Sequence, residues 1–170
     1  MCLGAIEKDQ YTTADIIANA VKALSGRMDC GYAKGIKAYD AWKEALSDES
    51  NFSVGGNYML LFEKMLCQND AVACLSDGRY CASLYFEELA GKDSSCHNDY
   101  LEISGLFRKC SDTILEMQNL LNDNGSASMD DMLKKLSDKE IRNKICLLIE
   151  TAKKADSDAL ALMEKLAGSF

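Results

Sequence analysis

The chain has 170 residues, a formal net charge of −8, eight cysteines, one histidine and no proline. Its 48% hydrophobic and 27% charged residues exclude a wholly disordered chain. The acidic balance argues against a nucleic-acid backbone as direct partner, which needs a basic surface.

Without proline, long uninterrupted helices are favoured. Residues 1–11 begin MCLGAIEKDQ and turn polar after Ile6, too early for a secretory leader. Their short apolar run, Cys2 to Ile6, reads as a possible remnant of a preceding domain; residues 12–170 read as one helical bundle. Thr12-Thr13-Ala14-Asp15 predicts a capped helix start, with Ile16, Ile17, Ala20, Val21 and Leu24 at helical spacing and a stop at Ser25-Gly26. A second helix is expected from about Tyr32 to Leu46. A loop spans Asp48 to Asn57. Tyr58 to Ala90 is helical, with a possible break at Gln68-Asn69-Asp70.

The fourth helix carries Tyr100, Ile103, Phe107, Cys110, Ile114, Met117 and Leu121, a stripe at intervals of three and four residues. A short helix opens at Ser128 and ends near Leu136. Ser137-Asp138-Lys139-Glu140 reads as a capping box for a long last helix with Ile141, Ile145, Leu148, Ala152, Ala155, Ala159, Leu162 and Leu166 inward. No segment beyond the first six residues alternates as a strand. The expected fold is an all-α bundle of five or six helices.

No stretch approaches the roughly 18 apolar residues of a membrane span, and the expectation is a cytoplasmic protein. The cysteines lie mostly within amphipathic helical patterns, without C-x-x-C spacing. They read as reduced thiols acting as small apolar residues, not disulfides or metal ligands. Cys67, Cys74 and Cys81 recur every seven residues. Successive members are about 10 Å apart along a helix, too far to share one ion. The single histidine, His97, reads as a residue near a helix start. No phosphate loop, G-x-S-x-G elbow or H-E-x-x-H occurs. Asp156, Asp158 and the other carboxylates sit on faces that read as solvated. No cofactor, metal or catalytic group is expected, and enzymatic activity is not.

Two helix faces remain. Tyr32, Gly35, Tyr39, Trp42 and Leu46 share one side of the second helix, with Gly35 leaving space between rings. Cys67, Ala71, Cys74, Gly78, Cys81, Ala82, Tyr85 and Leu89 share a face of the third. Small residues there allow either a close helix contact or a space filled by something else. Asp77 and Arg79 flank Gly78 and are either an exposed ion pair or a pocket's polar rim.

The segments Gly31–Leu46 and Leu75–Phe86 resemble helical domains of bacterial proteins related to butirosin-biosynthesis protein H. Gly35, Ala38-Tyr39, Trp42 and Leu46 match a G-x-x-A-Y-x-x-W-x-x-x-L helix. Asp77, Arg79 and Ala82 match a D-x-R-x-x-A run, with Phe86 where leucine is usual. In that group the helical region commonly follows a papain-like cysteine-peptidase or acyltransferase-like domain. Similar segments serve as effector domains of bacterial transcriptional regulators. Neither the catalytic half nor a DNA-binding module occurs in this sequence.

Three functions compete. The favoured one is a ligand-binding or sensory domain holding an apolar or amphipathic small molecule between the second, third and fourth helices. Tyr32, Tyr39 and Trp42 would supply an aromatic wall. Cys74, Gly78 and Cys81 would leave space, Tyr85 and Phe107 would close it, and Arg79 or Asp77 would anchor a polar end. The others are an interaction or homodimerisation module, and an accessory part of an acyl-transfer or cysteine-peptidase-like enzyme.

Overall fold

Proline-free helical patterning yields six helices and one small hairpin in the computed structural model, which describes residues 11–52 and 58–169. The apolar run Cys2–Ile6 and part of the glycine-bearing loop, residues 53–57, lie outside the described residues. The helices are α1 (Thr13–Leu24), α2 (Ile36–Ser47), α3 (Tyr58–Lys92), α4 (His97–Asn122), α5 (Met129–Ser137) and α6 (Lys139–Ala167). The expected all-α bundle is the observed architecture.

Local signals explain most boundaries. The Thr12 hydroxyl accepts from the Asp15 amide at 3.2 Å, and the Asp15 carboxylate accepts from the Thr12 amide at 3.0 Å, closing a capping box. Ser128 caps α5 through the Asp131 amide. The cap of α6 differs from the expectation. Asp138, not Ser137, accepts from the Glu140 amide, while the Ser137 hydroxyl donates back to Leu133. The break expected near Gln68 is absent, and α3 runs unbroken for 35 residues, about 52 Å at 1.5 Å per residue.

The start of the second helix is also corrected. Arg27–Asp29 (β1) and Tyr32–Lys34 (β2) form an antiparallel hairpin, with Met28 opposite Ala33. Its turn places Cys30 and Gly31 at φ of 49° and 83°, the pair of positive values that a tight hairpin demands. Gly35 follows at φ 58°, where a Cβ would stand 2.2 Å from the Leu24 carbonyl oxygen. Gly35 therefore lets the chain pass against the end of α1; it does not make room between rings on a helix. Tyr32 lies on β2 and is exposed.

The bundle is built on α3 and α4, which run antiparallel with α6 against α4. Between α3 and α4 the close approach comes from serines seven apart on each helix. The Ser111 hydroxyl donates to the Ser76 carbonyl at 3.0 Å, and the Ser104 hydroxyl to the Ser83 carbonyl at 2.9 Å. Cys74 and Cys81 precede Ser76 and Ser83 by two positions, some 200° round the helix at about 100° per residue, so they face away and are exposed. Cys30 and Cys67 are exposed as well, and only Cys110 of the seven described cysteines is buried. All seven are free thiols. Their reading as interior apolar residues thus fails for most.

Both α1 and α2 rest chiefly on α6. α2 is tied antiparallel to α6 by Lys43 with Glu150, by Asp40 with Lys153 at 2.6 Å, and by Tyr39 with Asp156. The core consequently divides into two clusters. One holds Leu46, Met65, Ile114 and Ile149 toward α5; the other holds Ile17, Phe86, Ile103 and Met163 at the opposite end. At the α5 end Arg142, 1% exposed, donates to the carbonyls of Leu46, Leu136 and Ser137 and lies over the Phe52 ring. Its Nη2 is 2.8 Å from Glu49 Oε2, a contact of charges off the hydrogen-bond axis.

Candidate functional site

Because α1 and α2 lean on α6 while α3 leans on α4, a space of about 760 Å³ opens between them. Ile16, Ile17 and Ala20 of α1 line one side and Ala38, Tyr39 and Trp42 of α2 the next. Ala71, Gly78, Arg79, Ala82 and Tyr85 of α3 form the facing wall, and Phe107 and Met163 form the floor. Ala71 and Gly78 are exposed although they line it, so the cavity opens to solvent. No side chain projects from Gly78, and a Cβ there would meet nothing within 4 Å.

One polar network interrupts this apolar lining. Asp156 of α6, wholly buried, accepts from Arg79 Nε at 2.8 Å and Nη2 at 2.7 Å, and from the Tyr39 hydroxyl at 2.7 Å. Cys110 Sγ stands 3.5 Å from the same hydroxyl. Helices α2, α3 and α6 thus meet on one carboxylate, at the seam of the two core clusters. Burial opposes the charge of Arg79, but the hydrogen bonds and charge of Asp156 prevail and hold its pKa above the usual value. Burial first, then the Asp156 charge, drives the Tyr39 phenol far above its ordinary range. The same two causes push the Cys110 thiol up to about 12. The network is therefore one cation and one anion, with a neutral phenol and a neutral thiol. Arg79 also lies 5.7 Å over the Phe107 ring. Its Nη1 takes no part in the pair, and among the described residues nothing accepts from it.

Of the residues singled out in the sequence, Tyr39, Trp42, Gly78, Arg79, Tyr85 and Phe107 come together on this cavity. Tyr32, Cys74 and Cys81 do not, for the reasons of hairpin and helix phase given above. Asp77 is exposed and away from the lining; the partner of Arg79 is Asp156, so the surface pairing of Asp77 with Arg79 is corrected too. The wall from α1 was not foreseen. Asp156 was placed on a solvated face, yet it falls between Ala152 and Ala159 on the inward stripe of α6. A carboxylate at such a position was the available signal of a buried cation opposite. His97 stands first in α4, as expected, and its Nδ1 donates to the Ala90 carbonyl at 2.8 Å.

Among the described residues no helix is long and apolar enough to cross a membrane. No protein-family model, curated protein or solved structure matches the chain.

Proposed function

We propose that this chain is a ligand-binding or sensory helical domain of bacterial effector type, holding an apolar or amphipathic small molecule between α1, α2 and α3. The observation that carries the reading is the cavity itself, apolar and of a volume usual for ligand sites, with Arg79 in its lining and, among the described residues, nothing accepting from Arg79 Nη1. A ligand oxygen accepting from Nη1 would leave the Asp156 pair intact. The pair is neutral overall, so the site suits a polar or weakly charged end more than a dianion. The resemblance of the Gly35–Leu46 and Asp77–Phe86 segments to effector domains supports the same role. Free thiols at all seven described cysteines fit a reducing, cytoplasmic setting. A thiol held near 12 at Cys110 is the reverse of an activated nucleophile, which supports a role without catalysis.

Native mass spectrometry of the purified chain, beside a denatured extract, tests this directly. A co-purifying small molecule is expected, together with a ligand-induced rise in Tm that Gly78→Leu abolishes by filling the cavity. No bound mass, and identical thermal responses of wild type and G78L across amphiphiles, would overturn it. A ligand-free dimer by light scattering would favour the interaction module instead.

A further inference from the structure

Beside the large cavity, on the other side of Trp42, lies a second space of about 470 Å³. Trp42 and Ala71 form walls of both. Its lining is apolar at Leu46, Phe52, Leu60 and Leu136; Gln68, Lys64 and Asn51 are polar members, and the exposed Glu63 is the one carboxylate among the described lining residues.

Gln68 is 6% exposed, and its amide orientation is dictated by chemistry. Trp42 Nε1 can only donate, and it lies 2.7 Å from Gln68 Oε1, so the amide nitrogen must point the other way. Among the described residues nothing accepts from that Nε2. An unmade bond at a buried amide is costly, and a ligand oxygen would restore it.

Lys64 is one turn earlier on the same face of α3, at the i,i+4 spacing that makes side chains neighbours. Its ammonium donates at 2.9 Å to two neutral oxygens, the carbonyl and the side-chain oxygen of Asn51, and lies 5.8 Å over the Phe52 ring. Among the described residues no carboxylate forms an ion pair with it. An unsatisfied amide donor and a cation held by neutral oxygens, with the Asp48 carboxylate acting on it only at longer range, thus stand one turn apart at the edge of an apolar hollow.

We infer that this second space is a binding site for an aliphatic carboxylate, its head accepting from Gln68 Nε2 and pairing with Lys64, its chain lying on Phe52, Leu46 and Trp42. Two acceptor oxygens on one carbon match the two donors, and the apolar lining takes the chain. The site goes beyond the function proposed for the larger cavity and does not require that cavity to be filled.

Decanoate and decanol, below their aggregation limits, are the probes, titrated by calorimetry and by the fluorescence of Trp42, the only tryptophan. Decanoate should bind about tenfold more tightly than decanol, as charge-assisted bonds outweigh neutral ones. Lys64→Met should erase that preference and leave decanol unchanged. Gln68→Leu should weaken both ligands. Because Gln68→Leu also removes the acceptor of Trp42, Ala45→Phe serves as an independent variant. Ala45 is exposed at the mouth, and a ring there blocks the space without entering the core. Gly78→Leu, which fills only the larger cavity, should leave decanoate affinity unchanged, so failure of that cavity's role is distinguishable from failure of this one. Equal affinity for decanoate and decanol, a preference that survives K64M, or binding that survives A45F overturns the assignment.

Discussion

Two arginines, Arg142 buried and Arg79 half-buried, hold this molecule together in different ways. Arg142 at the α5 end spends Nε and Nη1 on three main-chain carbonyls and sets Nη2 against Glu49, whose side chain is half exposed. Those carbonyls close α2 and α5, where the helix dipoles concentrate negative charge. Arg79, mid-molecule, spends two nitrogens on one side-chain carboxylate, and among the described residues nothing accepts from its Nη1. An arginine satisfied by backbone is bound to the fold, since its acceptors cannot be substituted away. An arginine satisfied by another side chain beside a cavity belongs to a pair that could be replaced as a unit, and its persistence then asks for a reason other than stability.

The sharpest way to break this contrast is Asp156→Ala. It strands the Arg79 cation and the Tyr39 hydroxyl, and about 3–5 kcal/mol should be lost in urea unfolding. Next comes Arg142→Met, which leaves three carbonyls without their donor and should cost about 2–4 kcal/mol. No second substitution should restore that loss. Replacing the other pair as a unit, Arg79→Leu with Asp156→Leu, and adding Tyr39→Phe to remove the hydroxyl left without its acceptor, should bring stability back to within about 1 kcal/mol of wild type. A triple variant as unstable as D156A would erase the distinction between the two arginines.

The smallest effect is one of pH. The Cys110 thiol is raised from 9.0 to about 12, so the folded state favours its neutral form. Its contribution is whole below pH 9 and declines as pH climbs toward 12, where the unfolded chain releases the proton more readily. Stability should therefore be level near neutrality and fall above pH 9, less steeply in Cys110→Ala. Alkylation at pH 8 should modify Cys67, Cys74 and Cys81 while sparing Cys110. Rapid alkylation of Cys110 in the native protein would contradict its placement beside Asp156.

Helix content was legible because burial and spacing agree. Every member of the α4 stripe from Tyr100 to Leu121 is buried, and the α1 cap forms as its four residues indicate. Six of the nine residues chosen for the site meet at the cavity, since one face of α2 and one of α3 look across it. What escaped the sequence were long-range polar choices. Asp156 finds Arg79 at a separation of 77 residues, and Arg142 finds Leu46 at 96. Helical periodicity carries no information about which face will meet which. The three cysteines misled because their seven-residue rhythm is shared by Ser76 and Ser83, and the serines, whose hydroxyls bond across to α4, occupy the close contact. Tyr32 misled because its spacing to Gly35 and Tyr39 imitates a helix, while Cys30-Gly31 turns the chain.

The attachment of α1 and α2 chiefly to α6 has a dynamic consequence. Among the described residues, Trp42 joins α2 to α3 by its hydrogen bond to Gln68. Swinging α1, the hairpin and α2 outward with their ties weakened would leave the α3–α4 serine seam untouched, so breathing of this layer lies below global unfolding in free energy. Amide hydrogen exchange should resolve it as a separate unit, with α1 and α2 trading deuterium sooner than the core of α3 and α4. A molecule entering the cavity would slow that exchange without altering the scaffold beneath it.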